Sequence, residues 1–177
     1  IFLHRRIRYD VRYDPDTGRV EADVTVTLRN DAPASGLPDY VIGNRDTSRI
    51  PPGANQMYLS VYTPWDIVDA TVGGRPISVE HAEELGRFAY GTSVQVPPGG
   101  TRTLEFRLVG ATDPAVDYGL TFAPQPLVSR DRLSVSLEPA DGWSVCDVDG
   151  FTDDGSGAVV ALEPVEDSRW TAEFCPQ

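Results

Sequence analysis

The stretch DVDGFTDDGSG, residues Asp147–Gly157, concentrates the residue types that could hold a metal ion. Asp147, Asp149, Asp153 and Asp154 offer the carboxylate oxygens that calcium prefers, and the glycines suit a tight turn. The helix-loop-helix calcium pattern fails, because Phe151 occupies the place of its third ligand and no suitable glutamate follows. An irregular calcium loop and a solvated turn between two strands are both compatible with these residues. Calcium is the one cofactor that the sequence suggests.

A second candidate site is a row of aromatic residues in the segment MYLSVYTPW. Tyr58 and Tyr62 are four residues apart, so in a strand they share one face, and Trp65 follows close behind. Leu59 and its alternate neighbours would face the core. The three rings either form an exposed platform on which a sugar could stack or lie covered beneath the long loop that precedes them.

The sequence lacks the common signatures of catalysis. The GSG at Gly155 has no strand and helix around it, as a nucleophile elbow requires. His81, in HAEEL, lacks the second histidine of a zinc-protease pair, and His4 is the only other imidazole. A carboxylate pair for glycoside hydrolysis stays open, but none of the 27 acidic residues stands out as such a pair. The sequence therefore favours a non-catalytic protein.

Composition excludes two classes of partner. A net charge of −12 and a pI near 4.4 argue against nucleic acid and against adsorption to an anionic membrane surface. All 15 basic residues are arginine, which is typical of a high-GC genome. No apolar run is long enough to span a bilayer, so membrane attachment would require a segment outside this chain.

The two cysteines, Cys146 and Cys175, predict a disulfide in an acidic, glycine- and threonine-rich β protein. Disulfides persist in oxidising compartments. The pair therefore predicts an extracytoplasmic location.

Alternation of apolar and polar residues predicts the architecture. Ile7–Tyr13 and Val20–Leu28 alternate almost strictly around the turn DPDTG, which indicates an antiparallel hairpin. Nine to eleven short strands with Gly/Pro turns predict an all-β, antiparallel β-sandwich of the immunoglobulin or fibronectin type, with Greek-key connections. EHAEELGRF is predicted as a helical turn, and GAVVAL with SRWTAEF as a closing hairpin.

The chain is predicted to form a single domain over residues 1–177. Residues 131–177 carry both cysteines and are expected to add strands to the same sandwich. The segment Asn30–Asn55 is long, is rich in proline and contains one candidate strand, DYVIG. Such a segment is either a partner surface or a Greek-key crossover.

Three stretches carry a resemblance to a known family: YDVRYDPDTGRVEADVTVTLRNDAPASGLPDYVIGN, GANQMYLSVYTP and VPPGGTRTLEFRLVG. They resemble the C-terminal region of large membrane-anchored actinobacterial proteins, catalogued as domain-of-unknown-function family number 4012. The resemblance runs from Arg5 to Trp143 and leaves the acidic tail without a counterpart. It implies an extracytoplasmic, envelope-associated module and transfers no catalytic residue.

These observations together predict a non-catalytic, extracytoplasmic β-sandwich module that contacts a protein or glycan of the cell envelope. The segment Asn30–Asn55 and the Tyr58/Tyr62 strand face are its expected surfaces. A carbohydrate-binding module for cell-wall glycan and an enzyme acting on cell-wall polymer are the alternatives.

Overall fold

The computed structural model describes residues 1–43, 49–84, 86–114, 116–125 and 127–177. Strands hold 62% of the chain and helix 2%, which confirms the all-β prediction. The described elements are β1 (Leu3–Asp14), β2 (Arg19–Asn30), α1 (Asp39–Ile42), β3 (Asn55–Thr63), β4 (Asp66–Val72), β5 (Arg75–Pro76), β6 (Glu80–Glu84), β7 (Arg87–Val96), β8 (Thr101–Ala111), β9 (Tyr118–Phe122), β10 (Arg132–Pro139), β11 (Trp143–Asp149), β12 (Thr152–Asp153), β13 (Ala158–Leu162) and β14 (Ser168–Pro176).

The predicted first hairpin forms the centre of the largest sheet. β1 and β2 pair antiparallel over their full lengths, from Leu3 opposite Asn30 to Asp14 opposite Arg19. The turn between them is closed by Asp14, which accepts a hydrogen bond of 2.7 Å from the Thr17 hydroxyl, and by Gly18 with φ of 70°. Eight strands make up this sheet, in the order β12-β13-β10-β1-β2-β8-β4-β5.

Two three-stranded sheets, β11-β14-β9 and β3-β7-β6, form the remainder of the described strands. Alternate side chains of the central strands of the large sheet, such as Leu28, Leu104 and Leu137, are fully buried. They share one hydrophobic core with Val96 of one small sheet and Trp170 of the other. The arrangement is therefore that of a β-sandwich in which the second layer is divided into two sheets.

One pairing departs from the predicted antiparallel pattern, because β1 and β10 run parallel. Their register begins with Arg6 opposite Arg132. Immediately before this point Arg5 donates to both carboxylate oxygens of Asp131, at 2.7 Å from Nε and 2.5 Å from the terminal nitrogen. Asp131 is 3% exposed. A largely buried ion pair between residues 126 positions apart therefore lies next to the first residue pair of the β1–β10 register.

The predicted closing hairpin is wrong. β13 pairs with β10 and β12 in the large sheet, whereas β14 pairs with β11 and β9 in a small one. Trp170 and Ala172 of β14 are buried, as the alternation of SRWTAEF predicts. Alternation specifies which side chains enter the core but not which strand lies alongside.

Two local predictions are also wrong. EHAEE forms the strand β6, which pairs antiparallel with β7 from Glu80 opposite Gly91 to Glu84 opposite Arg87. Tertiary pairing here overrides the helical preference of alanine and glutamate. DYVI forms the single helical turn α1 rather than a strand, and its Ile42 side chain is buried. Within the described residues, no helix is long and apolar enough to cross a membrane.

Candidate functional site

The sheet β3-β7-β6 presents an outward face built around two tyrosines and two glutamates. Tyr58 and Tyr62 of β3 are 55% and 52% exposed. Each hydroxyl donates a hydrogen bond of 2.7 Å to a carboxylate of β6, Tyr58 to Glu80 and Tyr62 to Glu84. Two tyrosine–carboxylate pairs therefore cross the sheet in parallel, and we call these four residues the tyrosine face.

The hydrogen bonds explain the electrostatics of the tyrosine face. The pKa of Tyr58 is raised, first because its hydroxyl donates to Glu80 and then through desolvation and the nearby negative charge. The pKa of Tyr62 is raised for the same leading reason, its bond to Glu84. Both phenols are therefore neutral donors at physiological pH, and both carboxylates carry a fixed hydrogen bond.

The middle strand of this sheet leaves room for the rings to cross it. Tyr58 lies over Gly91, so closely that a methyl group added at Gly91 would overlap the tyrosine ring and hydroxyl. Gly91 has Ser60 and Glu80 as its register neighbours on the two flanking strands. The absence of a side chain at residue 91 is thus what allows Tyr58 to reach from β3 to β6.

Trp65 does not lie on the tyrosine face. Its ring covers Gly110 of β8, on the inner side of the large sheet, and it packs against the hydrophobic core. Its backbone N–H donates to the Thr63 hydroxyl at 3.1 Å. The structure therefore brings together two of the three predicted aromatic residues, on a face that the described part of the preceding loop leaves exposed.

Glu80 and Glu84 were missed as site residues. Their segment was predicted as a helical turn, in which they would not have faced two tyrosines of another strand. No local signal could have identified them, because residues four apart, such as Glu80 and Glu84, share a face in a helix as well as in a strand.

The four aspartates of the C-terminal stretch are divided between two strands and a turn. Asp147 and Asp149 lie in β11 and Asp153 in β12, while Asp154 follows β12. Among the residues that the structure describes, no group of three or more His, Cys, Asp or Glu side chains is placed to hold a metal ion. The predicted calcium ligands are therefore not gathered into one site, and calcium binding stays a prediction.

The described hydrogen bonds of this stretch are those of a turn. Asp154 Oδ1 accepts from the N–H groups of Ser156 and Gly157 at 2.9 and 3.0 Å and from the Ser156 hydroxyl at 2.8 Å. The pKa of Asp154 is lowered, chiefly by the Ser156 N–H. Phe151 is buried and its ring lies 6.1 Å from that of Trp170. An apolar anchor and a capped turn thus account for much of the sequence pattern.

The predicted disulfide between Cys146 and Cys175 is confirmed. It joins the neighbouring strands β11 and β14, with a Cα–Cα distance of 5.7 Å, where the register shifts between Val145 and Asp147. A disulfide is consistent with an oxidising, extracytoplasmic location.

The segment between β2 and β3 is described on both sides of residues 44–48; the part of the predicted partner surface at 44–48 lies outside the described residues. Asn30, which is 1% exposed, joins the beginning of this segment to its end through its side chain. The Asn30 amide donates to the carbonyls of Gly53, Val96 and Pro97 at 2.7, 3.2 and 3.2 Å. Within the segment Ile42 is buried, whereas Tyr40 is 90% exposed.

The outer face of the large sheet holds a shallow depression of about 330 Å³ lined by charged side chains. Several of these charges neutralise one another: Arg8 lies 2.6 Å from Asp10 and Arg12 lies 2.9 Å from Asp141. Exposed pairs of this kind contribute little energy. The lining as a whole has three arginines and four carboxylates, so it carries little net charge. The tyrosine face is thus the better candidate for recognition.

No family model matches the sequence, and no curated protein matches it. Among solved structures, the chain is similar to yeast LTA4 hydrolase in complex with bestatin, with 9% identity and a TM-score of 0.51. The similarity covers 96% of this chain and 28% of that one. An M1 zinc metallopeptidase from Deinococcus radiodurans gives 13% identity and a TM-score of 0.44, over 96% and 42% of the two chains.

A protein of Legionella pneumophila described as nutrient-binding gives 10% identity and a TM-score of 0.47, over 96% of this chain and 67% of that one. This chain therefore spans less than half of the LTA4 hydrolase chain and less than half of the M1 metallopeptidase chain. At such identities the likeness concerns the fold alone, because one fold hosts many unrelated functions.

Proposed function

We propose that this chain is a non-catalytic, extracytoplasmic β-sandwich module of a cell-envelope protein, and that its tyrosine face contacts a protein or glycan of the envelope. The resemblance to the actinobacterial membrane-anchored family supports the envelope assignment. The observation that carries the proposal is the pair of tyrosines, each more than half exposed and each fixed by a carboxylate. Aromatic rings held in one orientation lose little conformational entropy on binding, which is why tyrosine is enriched at interfaces.

A carbohydrate-binding module is the second candidate, and the exposure of Tyr58 and Tyr62 is what favours it. The apolar face of a sugar ring packs against an aromatic ring, and the adjacent carboxylates would accept hydrogen bonds from sugar hydroxyls. The two rings are four residues apart along β3, or about 13 Å at the rise of a strand. This spacing would suit an oligosaccharide better than a single sugar.

Binding of the purified chain to a glycan array and to fractionated envelope proteins tests both candidates, with and without calcium. The double variant Tyr58→Ala/Tyr62→Ala is expected to lose whichever partner binds. Tyr40→Ala is the matched control, since it removes an exposed tyrosine from the segment between β2 and β3. Binding that survives the double variant but is lost with Tyr40→Ala would overturn the assignment to the tyrosine face.

A further inference from the structure

The strand β3 has a free edge. It is the first strand of the sheet β3-β7-β6 and pairs with β7 on one side and with no described strand on the other. It is nine residues long, and its sequence NQMYLSVYT contains no charged residue and no proline. A strand edge of this kind presents a row of unpaired backbone N–H and C=O groups to its surroundings.

The other edge strands of the described sheets are protected by the usual devices. β5 and β12 have two residues each, and β9 has five. β6 carries three glutamates in five residues. β11 carries two aspartates and a register shift between Val145 and Asp147. Among the described edges, β3 alone combines length, regular pairing and the absence of charge.

The outward side chains of β3 leave this edge open. Tyr58 and Tyr62 lean across β7 to reach Glu80 and Glu84 on β6, which is away from the free edge. Ser60, exposed between them, is small. A strand added to β3 would meet the backbone directly, and its cross-strand side chains would lie about 5 Å from the two tyrosines.

We propose that β3 accepts an extended, basic peptide segment of a partner protein as an added strand, with arginine or lysine side chains lying over Tyr58 and Tyr62. This inference rests on the proposed function, because it specifies the partner of the same tyrosine face. An aromatic ring attracts a cation to its face. The carboxylates of Glu80 and Glu84 increase the negative potential at the far end of each ring.

Charge favours this partner over a second copy of the chain. The tyrosine face carries two carboxylates, Glu80 and Glu84. The register places one cation on the same face, Arg87, which lies opposite Glu84. The whole chain carries −12, so it repels another copy of itself and attracts a basic segment at long range. Backbone pairing supplies affinity in strand addition, and alternate side chains supply specificity.

The test uses synthetic peptides of nine residues, the length of β3, in which arginine and threonine alternate. Isothermal titration calorimetry is expected to show binding that weakens as salt is added, and no binding of the same peptide with glutamate in place of arginine. Tyr58→Ala/Tyr62→Ala is expected to weaken binding about tenfold, the loss of two exposed cation–π contacts.

Variants of Ser60 distinguish a charge effect at the free edge of β3 from an effect of the net charge of the whole protein. Ser60→Arg places a cation on the free edge and is expected to abolish binding of the arginine peptide, whereas Ser60→Glu is expected to strengthen it. Thr121→Arg is the matched control, because Thr121 is also exposed on an edge strand, β9, but belongs to the other small sheet. It makes the same change in net charge and is expected to leave affinity nearly unchanged.

Backbone methylation tests strand addition itself. Two peptides, N-methylated at odd or at even positions, differ only in which edge of the added strand can donate hydrogen bonds. Strand addition requires that one of them binds and the other does not. Equal binding by both, absence of binding by the arginine peptide, or a dimer of the chain in sedimentation would each overturn the inference. In any of these cases the proposed function would still be upheld if the Tyr58→Ala/Tyr62→Ala variant lost the binding of an envelope partner.

Discussion

Removal of the Asp131 carboxylate is expected to be among the most destabilising single changes in this protein. Asp131 is 3% exposed and accepts two hydrogen bonds from Arg5, whose side chain is 18% exposed. Arg5 also donates to Gln125 at 3.0 Å. The variant Asp131→Ala leaves a largely buried guanidinium with one neutral acceptor in place of a bidentate carboxylate.

The magnitude follows from the burial of the pair. Loss of one partner from a buried ion pair costs about 3–5 kcal/mol. Because Gln125 and solvent still accept hydrogen bonds from Arg5 in the variant, we expect a cost at the lower end of this range, about 3 kcal/mol. In a chain of this size that corresponds to a fall of about 6–12 °C in Tm. The change should be seen both in denaturant unfolding and in a thermal scan.

The exposed pair of Arg132 and Glu163 provides the matched control. The two side chains are 66% and 48% exposed and lie 3.2 Å apart. Glu163→Ala is expected to cost less than about 1 kcal/mol, as for other surface pairs. The double variant Arg5→Met/Asp131→Leu should recover part of the loss, because it removes both charges together. A cost below 1 kcal/mol for Asp131→Ala would refute the reasoning that Arg5 cannot lose its carboxylate partner without a large penalty at this buried site.

Three further predictions concern the disulfide, the tyrosine face and calcium. Cys175→Ser, or reduction, should lower the free energy of unfolding by about 3.6 kcal/mol, the chain-entropy value for a loop of 29 residues; a loss below 1 kcal/mol in denaturant unfolding would contradict this. Glu80→Gln should lower the raised pKa of Tyr58 towards its ordinary value in an ultraviolet titration, with Glu105→Gln as the control, since Glu105 accepts from Thr71 instead. Because that pKa is raised, the stability from the Tyr58–Glu80 bond is present below about pH 10, the ordinary tyrosine value, and is lost as pH rises through the folded pKa. If the acidic stretch binds calcium, millimolar calcium should raise Tm and Asp153→Asn should abolish the rise; an unchanged Tm would contradict the predicted site and leave the turn in which Asp153 and Asp154 accept hydrogen bonds.

The predictions are correct where a structure depends only on the order of apolar and polar residues within one segment. Val20 to Leu28 alternate in the sequence, and the even residues are buried as predicted. The failures occur where a partner strand changes the outcome. The segment at Glu80 contains good helix formers, yet it becomes a strand because β7 offers a pairing edge. No local signal in EHAEE records the presence of that edge.

The sequence by itself determined the all-β class, the inward and outward faces of the main strands and the disulfide, because these follow from side-chain alternation and cysteine chemistry. Only the tertiary structure decided which strands are neighbours, including the parallel contact of β1 with β10 and the separation of β13 from β14. It also decided that Tyr58 and Tyr62 meet Glu80 and Glu84, while Trp65 packs half-buried against the core. The physical reason is that a strand's pattern fixes its buried side chains, whereas its partners depend on the packing of distant segments around one shared core.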